Sequence, residues 1–171
     1  NFTFTKIDLS DLEEVQRIKF PKLKATTEVL LVNNAATIGS ILPIDKKSEK
    51  EIIGEYNLNI ISPTLLSRKF INAYADNIKL LINMGSGAAN SPISSWSTYC
   101  ATKSALDMLI QVIAEEKHKN LQVFSIHPGV VDTNYAKGNK ETIKQLSQQV
   151  GKWVVAINLP LLALLALFPG V

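Results

Sequence analysis

Ile78-Lys-Leu-Leu-Ile-Asn-Met-Gly-Ser86, continued through Gly-Ala-Ala-Asn-Ser-Pro-Ile-Ser-Ser-Trp-Ser-Thr to Tyr99-Cys-Ala-Thr-Lys103, is the stretch on which the reading of this chain turns. A short apolar run of the kind that forms a buried strand ends in a glycine- and serine-bearing loop, and a strongly periodic helix follows. Residues i and i+4 share a helix face. Tyr99 and Lys103 therefore project side by side, and an ammonium near a phenol favours phenolate, lowering its pKa toward the working range of a general acid/base. Ser86 precedes Tyr99 by thirteen residues, where its hydroxyl can hold a substrate oxygen. Tyr-x3-Lys alone on an amphipathic helix is commonly a packed phenol beside a solvated lysine. Here it coincides with a strand end before Ser86, an asparagine-bearing helix upstream and a Pro-Gly turn downstream, and that coincidence gives it chemical meaning.

Three β-rich runs each end in a polar or glycine-bearing loop followed by a helical pattern, which is the signature of βαβ units and a parallel sheet. Val29 to Asn33 runs into Asn34-Ala35-Ala36, Ile78 to Asn83 into the Ser86 loop, and Leu121 to Ile126 into His127-Pro-Gly-Val-Val-Asp-Thr133. The fold class is α/β, and ligands of such sheets gather at the carboxyl ends of the strands. A fourth run, Phe2 to Asp8, also reads as a strand. Ser48-Glu-Lys-Glu51 is a capping box, so a helix opens there and continues to about Tyr74, with a bend near Asn59 to Pro63 where proline removes a donor. After Tyr99, the residues Ala101, Ala105, Met108, Leu109, Val112 and Ile113 form the expected apolar stripe, and Lys117-His-Lys-Asn120 suits a helix C-terminus.

The composition, 46% hydrophobic and 19% charged over 171 residues, is that of one globular domain with a sizeable core. The net charge of +3 is scattered among acidic residues without a basic block, so nucleic acid is not an expected partner. A single cysteine, Cys100, rules out an internal disulfide framework and a zinc cluster; it fits a reducing, cytoplasmic compartment and is expected to pack under the helix. No metal site is expected. Asn1 to Asp8 alternates like a strand and does not read as a signal peptide, and the absence of an initiator methionine suggests that the natural product begins upstream.

With these pieces placed, Ile7 to Thr133 resembles the middle and later part of a short-chain dehydrogenase/reductase, which implies a Rossmann-like doubly wound parallel sheet. Trp96-Ser-Thr-Tyr-Cys-Ala-Thr-Lys-Ser-Ala-Leu-Asp-Met-Leu109 and Tyr56-Asn-Leu-Asn-Ile-Ile-Ser62 are most similar to the sepiapterin reductase and fungal benzil reductase branch. The resemblance implies that Tyr99 is the general acid, that Lys103 lowers its pKa and bonds the nicotinamide ribose, that Ser86 orients the substrate and that Asn57 holds a water in the proton relay. It implies that Asp8 meets the adenine, Asn34 and Ala35 line the adenosine ribose, Pro128 and Gly129 turn the chain beside the nicotinamide, and Val131 and Thr133 bind its carboxamide. The residues themselves leave alternatives: Asn57 could bridge a helix kink, and Asp8 could cap a helix starting near Ser10. His127 and His118 are read as structural or solvated. The implied cofactor is NADP, with NAD as the alternative; the implied partner is a small carbonyl substrate, and the complete form is implied to be a homodimer.

The chain departs from the family pattern in three ways. No Gly-x3-Gly-x-Gly occurs in it, so the sheet is expected to be incomplete, with the first βαβ unit absent and the strands ending at Asp8 and Asn33 left without the two strands between them. Ala36 stands where the family usually has glycine, at a cost of about 1 kcal/mol if the position needs φ > 0, and Gly85 where serine often precedes the catalytic serine. Residues 1–150 read as a partial dinucleotide-binding domain and 151–171 as an apolar tail. Trp153 to Val171 carries no charge, and its Asn158, Pro160 and Pro169 argue against a membrane span. Two functional readings follow: an NADP(H)-dependent carbonyl reductase, or a truncated, inactive relative that acts by association.

Overall fold

A computed structural model of the chain describes residues 5–127. Three strands, β1 (Val29–Asn33), β2 (Lys79–Met84) and β3 (Leu121–Ile126), form a parallel sheet in the order β1-β2-β3. The register pairs Asn33 with Asn83, and Met84 with Ile126, so the carboxyl ends of all three strands meet at one edge. β2 is central and carries the buried Leu80, Leu81 and Ile82, the continuous apolar run that a strand covered on both faces requires. The other edge of β1 has no partner among the described residues.

Helix α1 (Leu12–Arg17) precedes the sheet; α2 (Glu49–Tyr56) and α3 (Ser62–Ala73) connect β1 to β2, and α4 (Ser97–Glu115) connects β2 to β3. The capping box at the start of α2 is present: Ser48 Oγ accepts from the Glu51 amide and Glu51 accepts from the Ser48 amide. Where a bend is expected the helix takes a π-turn over Asn57–Ile61, in which the Ser62 amide reaches back five residues to the Asn57 carbonyl. Pro63 explains it, because proline offers no N–H to the carbonyl four residues back and a wider turn relieves the ring's clash there. The core is built by Leu81 with Ile110 and Ile113 of α4, flanked by Leu31, Ile71, Leu109, Leu121 and Val123.

Three expectations are corrected. Residues 5–8 carry no strand; Phe2 to Phe4 lie outside the described residues. An Asx turn replaces the end of the expected strand: Asp8 Oδ1 accepts from the amide and hydroxyl of Ser10, and the Asp8 amide donates to Glu14. The N-cap of α1 is Asp11, which accepts from the Glu13 and Glu14 amides. On α4, Met108 and Val112 are 59% and 48% exposed, and Ala101 and Ala105 are exposed as well. The helix keeps the expected Ile113 in the core and Leu109 against it, and also buries Thr98, Thr102, Lys103 and Asp107 beside Leu106 and Ile110, a mixed face that an apolar pattern does not reveal. Finally, Ala36 does not adopt a positive φ; the glycine that does is Gly39, at 60°.

Candidate active site

The site is built where β2 ends. The Gly85 amide donates to the Ile126 carbonyl, extending the pairing to the last residue of β3 and placing Ser86 just beyond the sheet edge. Ser86 is extended, and its hydroxyl accepts from the Ala88 amide, starting the short turn Gly87–Ala89. Ser104 Oγ donates to the Ala89 carbonyl at 2.6 Å, which ties that turn to α4. Serine, tyrosine and lysine are thereby brought together. The Ser86 side chain acts on the Tyr99 phenol, and the Lys103 Nζ lies 5.7 Å from the centroid of the Tyr99 ring. Trp96 stands edge-on to the same ring at 5.7 Å.

The electrostatics differ from the simple expectation. Burial pushes the Tyr99 phenol above its ordinary value, the Ser86 side chain pulls it back, and neighbouring Cys100 pushes it up. Lys103 is 3% exposed, and its Nζ donates to the Met84 carbonyl at 2.8 Å. Burial lowers its pKa to about 8, against a rise contributed by Asp107 one turn along. The expected lowering of the phenol by the ammonium is therefore not what this arrangement produces: desolvation raises the phenol, and the ammonium is engaged by a main-chain oxygen.

The two asparagines of the π-turn part ways. Asn57 donates to the Ser10 carbonyl at 3.1 Å, toward α1. Asn59 is 1% exposed; its carboxamide accepts from the Thr37 amide at 2.8 Å and donates to the Thr37 carbonyl at 2.7 Å and to Thr102 Oγ1 at 3.1 Å. Asn59 thus joins the loop after β1 to the helix that carries Tyr99 and Lys103, a role its residue type alone does not mark. The available signal was its place four residues before Pro63.

Asn34 and Ala35 run exposed beyond the end of β1. Asp8 is exposed, and the Ser10 hydroxyl holds its carboxylate below the ordinary value. Pro128, Gly129, Val131 and Thr133, and the tail from Trp153, lie outside the described residues. Cys100 is half-buried, with its thiol 3.7 Å from the Ser91 carbonyl. Among the described residues no group of three or more His, Cys, Asp or Glu side chains could hold a metal ion, and no helix is long and apolar enough to cross a membrane.

Comparison with known proteins matches the family model for short chain dehydrogenase over residues 1–144. The chain is 30% identical over 155 residues to a benzil reductase ((S)-benzoin forming) of Bacillus cereus, covering 85% of this chain and 62% of that protein. It is 33% identical over 147 residues to the sepiapterin reductase of Mus musculus, covering 80% and 56% respectively. A crystal structure of a short-chain dehydrogenase/reductase from Burkholderia vietnamiensis superposes with a TM-score of 0.64 at 29% identity, over 91% of this chain and 76% of that one. The chain therefore spans about three fifths of the length of the two curated relatives.

Proposed function

The chain belongs to the short-chain dehydrogenase/reductase family, and from that premise we propose that it carries the catalytic residues of an NADP(H)-dependent reductase acting on a ketone, diketone or pterin-like carbonyl. The observation that carries this reading is the convergence of Ser86, Tyr99 and Lys103 at the carboxyl edge of a parallel sheet. The residues fit the inner half of a nicotinamide nucleotide. Lys103 has three ammonium protons, of which Met84 takes one, and Asn34-Ala35-Ala36 offers exposed main chain with two small side chains at the end of β1. NADP is preferred over NAD because the branch resembled uses it.

When bound, the nicotinamide supplies the hydride, which side chains cannot. Tyr99 Oη donates the proton to the carbonyl oxygen, and Ser86 Oγ holds that oxygen by a hydrogen bond as negative charge develops on it. The raised phenol pKa keeps Tyr99 protonated and ready to donate at neutral pH. Lys103, now bonded to Met84, would hold the ribose of the bound nucleotide and supply a proton to Tyr99. Of the two asparagines, Asn59 is the better match to the relay position, because it is buried and bonded to α4 whereas Asn57 faces α1. The complete form is proposed to be a cytoplasmic homodimer, with the exposed Met108 and Val112 of α4 on its dimer face. The test is NADPH oxidation by the native protein with benzil and with sepiapterin, compared with its Tyr99→Phe variant. Turnover abolished by the substitution supports the reading, and a wild type that oxidises NADPH with neither compound refutes it.

A further inference from the structure

Outside the catalytic set lies a buried charged cluster that the mechanism does not use. Lys47 and Glu55 form an ion pair whose side chains are 0% and 2% exposed, with Nζ 2.5 Å from Oε1. Lys47 Nζ also donates to Thr98 Oγ1 at 2.6 Å, and Thr98 Oγ1 donates to Glu55 Oε2, closing a triangle. Gly39, in the loop after β1, packs against the same carboxylate: at φ 60° a Cβ there would lie 1.9 Å from Glu55 Oε1.

The position of this triangle suggests what it does. Glu55 precedes Asn59 by four residues, and Thr98 precedes Thr102 by four, so the Glu55–Thr98 and Asn59–Thr102 bonds are two rungs one turn apart between the same pair of helical segments. Each rung threonine directly precedes a catalytic residue: Thr98 then Tyr99, Thr102 then Lys103. Thr102 Oγ1 also donates to the Tyr99 carbonyl at 3.0 Å. A buried ion pair is a weak source of stability, since well-packed apolar residues commonly serve as well. Its directional bonds do fix the rotation and height of a helix.

We infer that Lys47, Glu55 and Thr98 are positioning residues that set the first turn of α4 so that the Tyr99 hydroxyl meets the substrate carbonyl. The inference rests on the reductase reading of the Tyr99 site. Misplacing a reacting group by about 1 Å can cost about a hundredfold in rate.

The experiment compares wild type, Thr98→Val, Thr98→Ser and the double variant Lys47→Met/Glu55→Leu of the native protein. It measures kcat and KM for the carbonyl, NADPH affinity by fluorescence, and folding by circular dichroism. Thr98→Val should lose about tenfold to a hundredfold in kcat with NADPH affinity within about twofold of wild type, and Thr98→Ser should recover most of the loss. The double variant should fold and share the kcat defect, which keeps the test decisive if Thr98→Val fails to fold. Wild-type kcat in Thr98→Val or in the double variant, or equal defects in the valine and serine variants, would overturn the inference while leaving the reductase reading intact. An inactive wild type would overturn both.

Discussion

The Nζ of Lys103 donates to the carbonyl of Met84, the last residue of β2, so the lysine of the Tyr-x3-Lys pair is anchored to the sheet from the helix above it. Burial lowers its pKa to about 8 from 10.5. Between those values the unfolded chain binds a proton that the folded chain does not, so stability contributed at this site rises as pH increases from about 8 and levels off above 10.5. Urea denaturation of wild type and Lys103→Met across that window should show the wild type gaining stability relative to the variant. A constant difference would mean that the ammonium is not desolvated in the fold.

The carboxamide of Asn59 satisfies both the amide and the carbonyl of Thr37, whereas Asn57 makes one bond to Ser10. Asn59→Ala leaves the half-buried amide and carbonyl of Thr37 unpaired and should destabilise the protein by about 2–4 kcal/mol; Asn57→Ala should cost about 1 kcal/mol. Denaturant midpoints measure both. Turnover should fall with the first substitution and stay near wild type with the second.

Gly39 is held at a left-handed φ against Glu55. Gly39→Ala should cost more than the ~1 kcal/mol of backbone strain alone, because the new methyl displaces a carboxylate engaged by Lys47. Thermal unfolding of the variant would show it. An unchanged midpoint would mean that the Glu55 carboxylate has room to move.

Much of this architecture is legible in the residues. The β-rich runs before Asn34, Ser86 and His127 are the three parallel strands, Ser48 and Glu51 make the capping box they spell, and the helix widens into a π-turn just before Pro63. What escapes is what periodicity cannot carry. Thr98, Thr102, Lys103 and Asp107 are polar residues turned inward, so the apolar stripe finds Leu109 and Ile113 in the core but errs at the exposed Met108 and Val112. Asn57 and Asn59 are indistinguishable by type, and only the packing of the π-turn separates them. Phe2 to Asp8 alternates like a strand, yet at its described end the side chain of Asp8 bonds Ser10 two residues on and turns the chain toward α1.

The central claim is that Tyr99 is the proton donor of a carbonyl reduction, and the most direct measurement is the rate of NADPH oxidation by the native protein and its Tyr99→Phe variant with benzil as substrate. The substitution should cost about 10²–10⁴ in kcat with fold and NADPH affinity retained. Equal rates in the two proteins would contradict it.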